Sequence, residues 1–266
     1  MLVGAPRGAW ARALAAVAAA AVLSGCGSHM VLAPENLDQG LVIVLPGIDG
    51  GGVYCPAACH ALSKGSIGMA VELYHWTAPL GPLYNQTAVL RNREAAGVLA
   101  GRIQRYQEEH PEGVVYLIGH SGGTAIAVWA AEALPPGHDV QGIILLGSSL
   151  SPGYDLSRAL ARTREGIVSF HSNLDGGLLG LGTTLVGTMD GVHGESAGKV
   201  GFRSRAGPTS PGEYARLYQV GWQPRMARAG HGGGHFDYMG AGFLSAYVEP
   251  LLNGAVWDSR VVASVR

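Results

Sequence analysis

The feature that most restricts the fold is a series of short apolar, largely β-branched runs set between longer helix-forming stretches. The clearest are Leu41-Val-Ile-Val-Leu45, Val114-Val-Tyr-Leu-Ile118 and Val140-Gln-Gly-Ile-Ile-Leu-Leu146. A strand with one solvated face alternates polar and apolar residues, whereas a strand buried on both faces stays apolar. Such runs belong inside a sheet covered on both sides, and helical stretches between them make successive strands parallel. From about residue 40 the expectation is therefore an α/β chain, a mostly parallel central sheet flanked by helices in three αβα layers. Strands are expected at 41–45, 68–76, 114–118, 140–146, 166–171 and 225–228, and helices at 84–109, 122–134, 155–164 and 240–252. Gly176 to roughly Pro211 is glycine-rich and weakly periodic, a long loop region. A chain of 266 residues holds one sizeable core, so one domain is expected over 40–266.

Charge narrows the functional classes. With 18 basic against 19 acidic residues and no long run of either sign, the chain has no electrostatic footprint for nucleic acid. Its 42 glycines accompany an apolar content of 47%, which places the excess in tight turns and close backbone approaches of a globular chain.

Residues 1–26 differ from the remainder. Arg7 and Arg12 precede an apolar run from Ala13 to Leu23, and small residues follow in Leu23-Ser-Gly-Cys26. That order of charge, apolar run and cleavage site is that of a secretory signal. Eleven residues at about 1.5 Å each fall short of a hydrocarbon core about 30 Å thick, so a membrane-spanning helix is disfavoured. Leu-Ser-Gly-Cys also resembles the lipobox of bacterial lipoproteins. That resemblance implies acylation of Cys26 and an exported protein held at a membrane surface in the cell envelope. Residues 27–39 are expected to be linker. The two other cysteines stand in Tyr54-Cys-Pro-Ala-Ala-Cys-His60, and for an exported protein Cys55 and Cys59 are disulfide candidates across one helical turn. A metal site recruiting His60 lacks a second cysteine pair, so no metal is expected.

Gly119-His-Ser-Gly-Gly123 lies between an apolar run and a stretch of good helix formers. At a sharp strand-to-helix turn, glycines two residues either side of a serine avoid collision with the backbone, and the serine projects above the sheet beside a helix N-terminus. Ser121 is thus the candidate nucleophile; the alternative is a turn serine capping the helix. Here the chain resembles the α/β-hydrolase superfamily of serine lipases and esterases, over about residues 40–254. The resemblance implies an α/β-hydrolase fold, a chain order of serine, acid and histidine, and an oxyanion loop after an early strand.

A serine nucleophile needs a base, and the base needs a carboxylate to fix its tautomer. Of ten histidines, His235 in Gly232-Gly-Gly-His-Phe-Asp-Tyr238 precedes the final helix and resembles the family's histidine loop; His231 is the second choice. Asp175, four residues past the run ending at His171, is the expected acid, with Asp190 and Asp155 behind it. The oxyanion hole is expected from the amide of Gly122 and, by resemblance to the Pro-Gly-x-x-Gly loop of lipases, that of Ile48 in Leu45-Pro-Gly-Ile-Asp-Gly-Gly-Gly52. Together these imply a cofactor-free serine hydrolase acting on a small-molecule or lipid ester. Two alternatives stand beside it: a thioesterase or amidase using the same triad, and a non-catalytic envelope lipoprotein using the fold as a binding module.

Overall fold

The structure, a computed structural model, describes residues 30–175, 186–203, 212, 214–253, 256–259 and 262. The signal segment with Cys26, and residues 176–185 and 204–211 of the glycine-rich stretch, lie outside the described residues. Seven strands form one sheet: β1 (Met30–Leu32), β2 (Gly40–Leu45), β3 (Ala70–Leu73), β4 (Val114–His120), β5 (Val140–Leu146), β6 (Thr163–His171) and β7 (Leu217–Gly221). Their order is β1-β3-β2-β4-β5-β6-β7, with β1 antiparallel to β3 and every other pairing parallel.

The continuous apolar runs have the cause inferred from sequence. In β2, Leu41, Ile43 and Leu45 enter one core and Val42 and Val44 the other, all fully buried. The first core lies under α3 (Val89–Glu109) and α4 (Gly123–Ala133). The second lies under α1 (Tyr54–Lys64) and the C-terminal turns Ala241–Phe243, Leu244–Val248 and Glu249–Leu252. No described helix is long and apolar enough to cross a membrane.

Topology decides where a site can form. The chain leaves β2 through α1 to β3 on one side, then returns through α3 to β4 on the other, so the strand order reverses between β2 and β4. A crevice opens at the carboxyl ends of strands where such a reversal occurs. The loop after β2 and the turn after β4 both face it.

Several boundaries depart from the sequence expectation. The sixth strand is at Leu217–Gly221, and residues 224–229 form a 3-10 helix instead. The reason is position: β7 is an edge strand with mostly half-buried residues, so it carries no continuous apolar run, and Pro224 suits a helical first turn. The helix expected at 84–109 is two, α2 (Pro82–Thr87) and α3, broken at Ala88 with ψ 60°. Met30–Leu32, in the stretch read as linker, adds the antiparallel edge strand. In the long glycine-rich region, 186–203 packs against the loop after β5 through Met189 N–H to Ser149 O at 2.9 Å, Ala197 N–H to Leu150 O at 2.8 Å and Gly198 N–H to Ser148 O at 2.7 Å.

Candidate active site

Ser121 sits between the end of β4 and the start of α4 with φ of 53°, one of two non-glycine residues at positive φ among those described. Its N–H still donates to Leu146 O of β5 at 3.0 Å, so the turn is anchored to the sheet. The glycines around it are sterically required. A Cβ on Gly119 would lie 2.6 Å from Thr124 Cα, and one on Gly123 2.2 Å from Leu45 O. The Ser121 carbonyl accepts from Thr124 N–H at 3.1 Å, from the Thr124 hydroxyl, and from Ser149 Oγ at 3.1 Å. These bonds hold a left-handed residue that costs about 1–2 kcal/mol for an L side chain. Sequence reasoning missed Thr124 and Ser149; the available signal was a pair of serines, Ser148-Ser149, directly after a buried strand.

His235 and Asp175 are brought together: His235 Nδ1–H donates to Asp175 Oδ2 at 2.7 Å, both side chains being buried. The loops that carry them are stitched to each other. Ser172 Oγ donates to Gly233 O at 2.8 Å; within the histidine loop, Asp237 Oδ2 accepts from the N–H of Gly232 and of Gly234, each at 2.9 Å. The histidine loop is then tied to the elbow through His120, whose Nε2–H donates to the His235 carbonyl at 2.9 Å. That bond fixes the tautomer, because a carbonyl can only accept. Burial, and then the nearby His235 ring, push the His120 pKa down to about 3, so His120 is a neutral bridge. Among the described residues Ser121 Oγ makes no hydrogen bond; elbow and histidine loop meet through His120, and Nε2 of His235 is the ring nitrogen turned away from Asp175.

The second choices lie elsewhere. His231 is fully buried, with Tyr238 and Phe243 edge-on to its ring, and burial pushes its pKa down to about 4. Its Nδ1 accepts from Gly233 N–H at 3.1 Å, a bond that shapes the histidine loop from beneath. Asp190 binds Ser151 and Thr188, and Asp155 binds Tyr214 and Ser157 N–H, so each closes a loop of its own.

Gly122 and Ile48 face one another. A Cβ on Gly122 would lie 3.3 Å from Ile48 N and 2.5 Å from Ile48 Cγ2, so the two backbones converge beside Ser121. Asp49 accepts from Gly51 N–H at 3.2 Å and from the Tyr54 hydroxyl, which braces the loop. Beyond it a cleft of about 360 Å³ opens between Ile48, Asp49, Thr77, Pro79, Pro82 and Asn85. Apolar side chains are also exposed on neighbouring loops: Phe236 packs tilted against Tyr54, ring centroids 5.0 Å apart, and Leu174 and Val53 are exposed.

The disulfide expected between Cys55 and Cys59 is not formed; both are free, buried thiols on α1. Side chains four apart on a helix run side by side toward its N-terminus, so their Cβ atoms do not converge on a bridge. Here both enter the second core, and burial pushes the Cys59 thiol up to about 12 and that of Cys55 higher still. Among the described residues no group of three or more His, Cys, Asp or Glu side chains could hold a metal.

The sheet, its strand order and the flanking layers define an α/β-hydrolase fold. The structure is similar to lipase B of Aspergillus fumigatus, with a TM-score of 0.51 at 12% identity over 90% of this chain and 64% of that one. The chain thus spans less than two thirds of that lipase, and at this identity the likeness is one of fold. Solved structures of a mature lipase from Bacillus licheniformis (TM-score 0.49, 14% identity, 85% and 98% of the two chains) and a poly(3-hydroxybutyrate) depolymerase from Bordetella parapertussis (0.48, 17%, 90% and 88%) are also similar. No protein-family model and no curated protein sequence matches the chain.

Proposed function

We propose that this chain is a serine hydrolase that cleaves carboxylic esters through an acyl-enzyme on Ser121. The observation that carries the reading is the buried His235–Asp175 pair, 2.7 Å apart, tied through His120 to the turn that holds Ser121 at φ 53°. In the reaction, His235 Nε2 takes the Ser121 proton as Oγ attacks the ester carbonyl, a contact that closes in the substrate complex. Amides of Gly122 and Ile48 donate to the tetrahedral oxyanion, and Asp175 stabilises the imidazolium. His235 returns the proton to the departing alcohol. Water, deprotonated by the same imidazole, then releases the acid and restores Ser121. No step calls for a cofactor.

Exposed Phe236, Leu174 and Val53, on the loops of His235, Asp175 and Ile48, support an ester with an apolar acyl or alcohol part, from a small molecule or a lipid. The test is hydrolysis of p-nitrophenyl butyrate together with labelling by a fluorophosphonate. Wild type is expected to be active and labelled, and Ser121→Ala to lose both while unfolding at the same temperature. Folded wild-type protein that takes no label, or full activity in Ser121→Ala, overturns the assignment, and the former supports the binding-module alternative. We further propose export and acylation at Cys26, on the strength of Leu23-Ser-Gly-Cys26. In detergent phase separation the wild type should enter the Triton X-114 phase, and Cys26→Ala the aqueous phase; identical partitioning refutes the anchor.

A further inference from the structure

The loop that carries Ile48 could present either its amides or its carbonyls to Ser121, since a peptide unit that turns over exchanges one for the other. Three consecutive carbonyls of this loop are each held by a donor. Pro46 O accepts from Trp76 Nε1–H at 2.8 Å, Gly47 O from Gly50 N–H at 3.0 Å, and Ile48 O from Asn85 Nδ2–H at 2.9 Å. The Gly47–Ile48 peptide is trans, so fixing its oxygen in the turn directs the Ile48 N–H the opposite way. Ile48 N itself lies 3.3 Å from the place a Cβ on Gly122 would take, beside the turn that carries Ser121.

Asn85 is built for this role. Its side-chain oxygen accepts from Ala78 N–H at 2.9 Å, and its amide also donates to Ala78 O at 3.2 Å. The orientation of the side-chain amide is therefore fixed by its partners: turned over, it would set an oxygen against two carbonyls and an NH₂ against an N–H. Its own backbone carbonyl accepts from Asn92 Nδ2 at 2.6 Å, which ties α2 to α3. The side chain is 2% exposed, 37 residues along the chain from the carbonyl it binds. Trp76 and Asn85 each bond the backbone of the loop, and the Trp76 ring also lies 3.3 Å from the place a Cβ on Gly122 would take.

We propose that Asn85, seconded by Trp76, is a positioning residue that holds the Pro46–Ile48 backbone with its carbonyls turned outward and the Ile48 amide turned to the oxyanion. The inference rests on the esterase reading of Ser121. An unclamped loop lets a carbonyl dipole face the developing negative charge, which penalises the transition state and leaves ground-state binding unaltered.

The experiment compares wild type, Asn85→Asp, Trp76→Phe and Tyr106→Phe. Asn85→Asp keeps the shape and replaces the donor to Ile48 O with an acceptor. Trp76→Phe removes the donor to Pro46 O together with part of a buried ring, and serves if the first variant fails to fold. Tyr106→Phe deletes a remote buried hydrogen bond, Tyr106 OH to Leu37 O at 2.6 Å, and controls for loosening of the fold. With p-nitrophenyl butyrate, Asn85→Asp is expected to lose about 10²-fold in kcat with KM within about twofold, the scale for one lost oxyanion donor, and Trp76→Phe about tenfold, since the Asn85 clamp remains. Affinity for phenylboronic acid, which forms a tetrahedral adduct, should weaken in parallel, and Tyr106→Phe should keep kcat. Unchanged kcat in a folded Asn85 or Trp76 variant overturns the inference. So does a loss matched by Tyr106→Phe at equal destabilisation, or one confined to KM. Absence of esterase activity and of labelling in wild type instead overturns the functional reading, so the two failures are told apart.

Discussion

Gly123 couples stability to the proposed chemistry, and Gly123→Ala makes the coupling measurable. The added Cβ would stand 2.2 Å from Leu45 O and 2.5 Å from Pro46 O. Both obstacles are backbone at the end of β2, so no side-chain rotation relieves them. Ordinary contact requires the strand end to move by roughly 1 Å, and overpacking of this kind costs about 1–3 kcal/mol. We expect the upper part of that range, a fall in melting temperature of about 6–12 °C at about 2–4 °C per kcal/mol for a domain this size. Gly47 and Ile48 follow the displaced segment directly, and a misplacement of about 1 Å lowers turnover by about 10²-fold. The same substitution at Gly97 provides the control, because on the exposed face of α3 its Cβ meets nothing within 4 Å. Gly97→Ala should gain about 0.5–1 kcal/mol from helix propensity and keep full activity. Circular-dichroism melts and p-nitrophenyl butyrate turnover are read on the same samples. A Gly123→Ala protein as stable and as active as wild type refutes the packing argument.

Acid should destabilise the fold early. His120 and His231 have folded pKa values lowered to about 3 and about 4 from 6.5, so their contribution is complete above pH 6.5 and declines as protons bind the unfolded chain below it. Together they remove about 3–4 kcal/mol between pH 7 and pH 5; equal urea midpoints at the two pH values would contradict this. Asp175→Asn should leave the fold intact and reduce kcat by about 10³–10⁴-fold, because His235 then loses the acceptor that sets its tautomer. Retention of a tenth of the activity would remove Asp175 from the mechanism. The thiols of Cys55 and Cys59 should be unreactive to iodoacetamide in native protein and alkylated on unfolding, with dithiothreitol leaving the melting temperature unchanged. A melting temperature that drops on reduction would restore the disulfide.

What the sequence disclosed follows from how completely each element is buried. Strands β2, β4 and β5 are covered on both faces, and their unbroken apolar runs could be read directly. The edge strands β1 and β7 are half-buried and short, which erases the run, so the sequence pattern points to 225–228 in place of β7. The elbow was legible because sterics forces glycines at 119 and 123. Trp76, Asn85, Thr124 and His120 were not assigned roles, since each acts on a backbone carbonyl, a partner present at every position of every chain. The cysteine pairing failed for another reason: cellular compartment bears on the redox state of thiols, whereas the direction of two Cβ atoms on a helix decides whether they can meet.

The sheet divides the machinery as well as the core. Ser121 opens α4, whose buried side chains belong to the layer with α3, while His235 leads into Tyr238, Met239 and Phe243 of the opposite layer. The proposed nucleophile and base therefore ride on two separate bodies of packed side chains. For an engineer this is modularity: residues beneath α4 adjust the pitch of the serine turn, residues around Phe243 adjust the imidazole, and the two sets can be varied in separate libraries and recombined. His120 is an exception, a ring on the elbow that bonds the histidine loop, and there the two libraries would interfere.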